Sequence, residues 1–142
     1  MEANRMSFKR VEEIDEEDIL MNLRDNPETI RITNVGELRE SDNEEGSGYF
    51  YVTCENPRNF QSFDIGYNVK INRDGSIYVG SNSKLFPLLS YVSGIDDSGI
   101  RCDFDDITDS LMNLCFKART ERKRFGNKKY FIIIPIDDED GE

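Results

Sequence analysis

Between Thr29 and Val79 apolar and polar residues alternate with a period of two, the pattern of half-buried strands. Ile30 and Ile32 face one way with Arg31 and Thr33 opposite, and Val35 and Leu38 extend the run past Gly36. Residues 40–48 form a polar loop. In Tyr49-Phe50-Tyr51-Val52-Thr53-Cys54 the alternation puts Phe50, Val52 and Cys54 on one face and Tyr49, Tyr51 and Thr53 on the other. Phe63 to Ile71 alternates almost without fault, with Asn68 and Lys70 outward, beside the tyrosines if the register holds. Asn72-Arg73-Asp74-Gly75 predicts a hairpin turn with Gly75 in the left-handed position, and Ser76 to Val79 returns.

The period then changes. Ser83 reads as the N-cap of a helix over residues 84–92, with Pro87 tolerable only in its first turn and Gly94 closing its end. An acidic connection follows, in which Asp103, Asp105, Asp106 and Asp109 surround Phe104, Ile107 and Leu111. Two strands complete the pattern, about Leu114 to Arg122 and Tyr130 to Ile136, joined through Phe125-Gly126-Asn127-Lys128. Ahead of the first strand, residues 1–28 are an acidic, partly flexible lead. Within it Glu16 to Leu23 predicts a short helix, with Asp15 as N-cap and Asn26-Pro27 as its stop. This order predicts an all-β fold with a short helix. The expected architecture is a five-stranded barrel of the oligonucleotide/oligosaccharide-binding (OB) type over residues 29–136, its helix between strands 3 and 4.

Composition narrows the chemistry. The 142 residues suit one domain, and 37% apolar content with nine Phe and six Tyr fills one modest core. No run approaches the roughly 18 apolar residues of a membrane span. Met1-Glu2-Ala3-Asn4-Arg5 has no apolar stretch behind it, so no secretory signal is expected. The absence of histidine excludes His-dependent triads, His-ligated zinc and the usual general base at neutral pH. Cys54, Cys102 and Cys115 are odd in number and widely spaced, which suits buried, inert thiols in a reducing, cytoplasmic setting. The Asp103–Asp109 carboxylates lack the Gly and distal Glu of an EF-hand loop and read as helix-start acids rather than metal ligands. With no nucleophile and base at a recognisable spacing, a non-enzyme without cofactor is expected.

The net charge of −11 is unevenly spread. Residues 117–129 hold seven of the 18 bases (Lys117, Arg119, Arg122, Lys123, Arg124, Lys128 and Lys129) against Glu121 alone, while residues 137–142 hold five acids and no base. A local basic element on an acidic body presents its cations to a specific anion rather than attracting one through its overall field.

Several motifs resemble the small OB-fold single-stranded-DNA-binding proteins of phages, plasmids and archaea. These are the strand pair and Asp-Gly turn before Ser83-Lys84-Leu85-Phe86 with Leu88-Leu89, then Asp105-Asp106-Ile107. The last hairpin matches through Phe116 to Arg119, Gly126 to Tyr130 and Ile134-Pro135. The likeness spans residues 29–136 and implies replication or recombination of a phage or mobile element, with proteins of those processes as partners. Two features depart from the group. Asn113 stands nearest to where a Gly usually begins the fourth strand, and the tail ends Asp140-Gly141-Glu142 without the terminal Pro-Phe of bacterial relatives.

The basic hairpin is then expected to track a phosphate backbone, with Lys117 and Arg119 outward on its strand and Arg122, Lys123 and Arg124 at its tip. A solubilising edge hairpin is the competing explanation, less favoured because an acidic body needs no more solubility. Tyr49 and Tyr51 are either base-stacking platforms or rings packed under the N-terminal segment. Phe125 at the hairpin tip is a weaker stacking candidate. The tail, residues 137–142, is expected to be disordered, either for solubility or as a competitor for the basic groove. The expected ligand is single-stranded DNA, or RNA, bound with little sequence preference and away from any membrane. A protein-interaction OB module and an acidic mimic of nucleic acid are the alternatives.

Overall fold

The fold comes from a computed structural model that describes residues 16–125 and 127–136. The expectations for Asp15, the extreme N-terminus, the Phe125 side chain and the tail 137–142 lie outside what is described. Among the described residues three helices and eight strands follow one another as α1 (Glu16–Asp25), β1 (Glu28–Val35), β2 (Arg39–Glu40), β3 (Ser47–Glu55), β4 (Ser62–Ile71), β5 (Ile77–Val79), α2 (Phe86–Ser93), β6 (Ile100–Cys102), α3 (Phe104–Leu111), β7 (Cys115–Phe125) and β8 (Lys128–Pro135). The strands form one antiparallel sheet in the order β6-β5-β4-β3-β1-β7-β8, with β2 paired to β3.

The alternation read from the sequence holds. Phe50, Val52 and Cys54 on β3, and Phe63, Ile65, Tyr67 and Val69 on β4, all point into one core with Ile30 and Ile32 of β1. Val35 joins them, out of phase with Ile32, because a bulge between Ile32 and Asn34 shifts the register by one residue. Gly75 takes φ +88° and donates its N–H to the Asn72 carbonyl at 2.9 Å, closing the predicted β4–β5 turn. Asn113 adopts φ +66° and donates to the Ile32 carbonyl at 2.9 Å. Asn is among the few residues with a side chain that tolerate this region, so it does here what a glycine would do.

The predicted helix begins later than Ser83. α2 starts at Phe86 with Leu85 in the cap position, and the Ser83 hydroxyl caps nothing. Pro87 explains the shift. A helix capped by Ser83 would need the Pro87 N–H for its first internal hydrogen bond, whereas two positions later the ring sits where no N–H is required. Gly94 ends the helix as expected, at φ +79° with its N–H on the Ser90 carbonyl at 2.8 Å. The acidic connection folds into α3, where the Asp106 carboxylate accepts the Asp103 N–H at 3.1 Å.

The main correction concerns closure. The sheet has eight strands and does not close into a five-stranded barrel. A closed barrel needs its last strand paired to the third of the meander, here β8 to β4. β4 instead ladders with β3 and lends only Lys70 and Ile71 to β5, while β8 pairs with β7 alone among the described residues. α1 takes the intervening place, packing across β7 and β4 with Leu23 buried and with its Leu20 carbonyl accepting the Thr120 hydroxyl at 2.5 Å. What remains between β4 and β8 is a cleft of about 430 Å³.

At the far end of the β3–β4 hairpin, Glu28 of β1 accepts hydrogen bonds from Asn56 Nδ2 at 2.6 Å and Arg58 Nη2 at 2.8 Å. The Arg58 hydrogen bond, then that of Asn56, holds the Glu28 carboxyl below its ordinary pKa. A depressed carboxylate pKa stabilises the fold above the unfolded value, about 4.3, and the gain disappears as pH falls through the lowered folded value. Arg58 is largely exposed, so the contribution is about 1 kcal/mol rather than that of a buried pair. Glu28→Gln should therefore cost about 1 kcal/mol at pH 7, a cost that shrinks as pH falls below about 4.3 and vanishes once the folded carboxyl is protonated, which urea unfolding over a pH series will measure.

Candidate nucleic-acid interface

β3 and β4 stay in one register from Ser47 opposite Lys70 to Glu55 opposite Ser62. On their outer face this sets Tyr49 against Asn68 and Tyr51 against Gly66, so the predicted tyrosines and the Asn68–Lys70 pair share one surface. Tyr51 is 55% exposed and Tyr49 only half-buried, their rings edge to face at 6.2 Å. The Tyr51 ring leans across the bare backbone of Gly66: a β-carbon there would lie 2.9 Å from Tyr51 Cε1 and 3.3 Å from Cδ1. Only glycine lets the ring settle onto the strand and leave its other face to solvent.

Sequence reading missed a third aromatic on this surface. Tyr78 of β5 pairs with Lys70, is 41% exposed, and packs its hydroxyl end against Gly99, too close for any β-carbon. The signal was present in the Asp74-Gly75 turn, whose register fixes Tyr78 outward and opposite Lys70. Asn68, Lys70 and Tyr78 line a groove of about 490 Å³ whose far wall is Gly80-Ser81-Asn82-Ser83. Another hollow, about 630 Å³ between the β2–β3 loop and the β4–β5 turn, carries Glu40, Asp42 and Glu45 against Arg73 and would repel phosphate.

The basic hairpin is a long arm rather than a short strand with a cationic tip. β7 continues to Phe125, which pairs with Lys128, so Arg122, Lys123 and Arg124 belong to the ladder and point alternately to its two faces. Phe116, Ala118 and Thr120 are buried while Lys117, Arg119 and Glu121 are partly exposed, as the alternation predicted. Arg119 is engaged by Glu121 at 2.7 Å. Arg122 pairs with Glu17 of α1 at 3.2 Å and lies 5.0 Å from the Phe131 ring centre. Lys123, Arg124, Lys128 and Lys129 are exposed.

The arm and the tyrosine face do not form one continuous patch. Lys117 pairs with Thr29 at the start of β1, whereas Tyr51 lies beside Gly36, past the end of that strand. The coiling of the sheet instead brings the far part of the arm round to β4. Arg122, Lys129 and Tyr130 line the same cleft as Gly66, on whose outer side the Tyr51 ring rests. Lys84, ahead of α2, enters this cleft too, and burial holds its ammonium below the ordinary lysine pKa. Among the described residues no three carboxylates or thiols converge as metal ligands.

No family model matches this chain, and neither a curated protein nor a solved structure matches it. The chemistry of the surface therefore rests on its own residues.

The cysteines differ from expectation in one case. Cys54 is buried and Cys102 half-buried, but Cys115 is exposed, because it opens β7 on the outer face opposite Arg31. Burial, helped by Asp64, pushes the Cys54 thiol up to about 12. A thiol reagent at pH 8 should modify Cys115 of the native protein quickly and leave Cys54 untouched until denaturant is added, with peptide mass mapping as the readout. Early labelling of Cys54 would show that the core opens at β3.

Proposed function

We propose that the protein binds single-stranded nucleic acid, DNA in the first instance, with little sequence preference. The observation that carries this reading is the Tyr51 ring, resting on Gly66 and 55% exposed, on the same outer face of the sheet as Tyr49, Asn68, Lys70 and Tyr78. Flat aromatic faces accept any base, at about 1–3 kcal/mol each, and cations beside them hold the backbone. The arrangement of strands supports it. A β1-β3-β4 meander, a helix, and a β7–β8 hairpin returned onto β1 follow the chain order that an OB fold uses, although the eight-stranded sheet is not closed. A role in replication or recombination of a phage or mobile element follows from the resemblance in sequence motifs.

A second reading, a protein-docking module, has one observation in its favour. Phe60, 70% exposed, is held at φ +62° in the β3–β4 loop by its own N–H on the Asn56 carbonyl at 2.7 Å. A bulky residue in that conformation is strained, and such strain persists where the display of the side chain is useful.

Fluorescence anisotropy with labelled oligo-dT at low salt separates the two. Nucleic-acid binding predicts a Kd below about 100 µM, and no binding at that concentration removes the first reading. Tyr51→Ala should weaken binding about 5- to 150-fold with an unchanged salt slope, since stacking releases few ions. Reversing Lys123 and Arg124 to Glu should weaken binding and flatten the slope of log K against log salt, by about 1 for each phosphate deprived of its cation.

A further inference from the structure

Lys84 is placed unlike the other bases. Its Nζ lies 5.5 Å from the centre of the Tyr67 ring and 5.4 Å from that of Tyr130, in the cleft between β4 and β8. No carboxylate pairs with it among the described residues. A partly buried ammonium without a counter-ion is costly, and two aromatic faces offset only part of that cost. Two further cations, Arg122 and Lys129, line the same cleft.

The remaining polar wall comes from the first turn of α1 and from Asp64 of β4, whose carboxylate accepts the Thr53 hydroxyl at 2.7 Å. Glu17 holds Arg122 at 3.2 Å, and Glu16 Oε2 accepts the backbone N–H of Asp64 on β4 at 3.3 Å. Both contacts are ones a phosphate oxygen would make, a guanidinium and a strand-edge amide. Two carboxylates of α1 thus occupy anion-binding groups of the cleft, while the Lys84 ammonium in the same cleft has no carboxylate partner among the described residues. Gly66 lines this cleft as well, and the Tyr51 ring rests against the same residue, so the aromatic ring and the cleft meet at one position of β4.

From this juxtaposition we infer that the β4–β8 cleft is a seat for a backbone phosphate of the bound strand, centred on Lys84, and that Glu16 and Glu17 are internal competitors for it. This rests on the reading of the protein as a nucleic-acid binder, and it adds a defined phosphate subsite and a built-in antagonist. A strand stacked on Tyr51 continues past the β4 edge beside Gly66 and lays a phosphate against Lys84. Arg122 exchanges Glu17 for a phosphate oxygen, and α1 keeps its apolar anchorage through Leu23 while its first turn moves aside.

The test uses the full chain and labelled oligo-dT over a series of salt concentrations. Glu16→Gln with Glu17→Gln should tighten binding about two- to fivefold and steepen the salt slope by about 1, because Arg122 becomes available. Lys84→Met should weaken binding about tenfold and flatten the slope by a similar amount, with Lys84→Arg retaining most of the affinity. Melting curves confirm that each variant is folded, and Glu17→Gln alone gives the smaller change if the double variant is unstable. Wild-type binding with no response to any of these substitutions overturns the seat and leaves nucleic-acid binding standing. If the wild type fails to bind oligo-dT, the functional reading falls, and tripolyphosphate decides the seat separately. Binding of tripolyphosphate that Lys84→Met abolishes upholds an anion site, and no binding removes it.

Discussion

Most of this structure depends on the ladder between β3 and β4. Nine consecutive residues of β3 face nine of β4 without a slip, from Ser47 with Lys70 to Glu55 with Ser62. That register sends Phe50, Val52, Cys54, Phe63, Ile65 and Tyr67 to one side and Tyr49, Tyr51, Asp64, Asn68 and Lys70 to the other. A shift of one residue would exchange the two sets, exposing the core and burying charge, so the alternative is strongly excluded. The same register puts a glycine, and no other residue, under Tyr51. Core and candidate surface are thus two consequences of a single pairing.

The other organising feature is the failure of the sheet to close. Coiling brings β8 towards β4, but the space is filled by side chains and a helix rather than by backbone hydrogen bonds. A closed barrel would have joined β4 to β8 and left no cleft there. The open one gives α1 a seam to pack into, with Leu23 and the Thr120–Leu20 hydrogen bond as its attachments. Acidic residues at the start of a helix also complement its dipole, so Glu16, Glu17 and Asp18 are favourable to α1 itself while two of them line the cleft.

Local features were legible in the sequence because local chemistry decides them. Alternation gave the faces of β1, β3, β4 and β7, Gly75 and Gly94 marked a turn and a helix end, and Asn26-Pro27 marked the end of α1 at Asp25. The misses have long-range causes. Closure depends on whether β8 reaches β4, which no period reports. Two-residue β2 and three-residue β6 exist only because β3 and β5 offer them an edge. β7 runs further than its pattern suggests because a run of bases reads as a loop, although strand pairing with Lys128–Phe131 carries it to Phe125. Phe60 in the left-handed region contradicts its own preference and is imposed by the hydrogen bonds of its loop.

Charge sets the terms on which such a surface can work. A body of net charge −11 repels a polyanion at long range, and that repulsion is strongest when salt is low. Attraction has to come from groups within about one Debye length, roughly 10 Å at 0.1 M salt: Lys70 on the tyrosine face, and Lys84, Arg122 and Lys129 in the cleft. Added salt weakens these contacts and the general repulsion together. The two effects oppose each other, so the net salt dependence is shallower than the number of cations alone implies. Stacking on Tyr51 is untouched by either, which makes the aromatic face the part of the interface least dependent on conditions. On the proposed reading, the aromatic platform of this acidic protein is therefore the primary contact, and the few cations near it fix where a bound backbone would run.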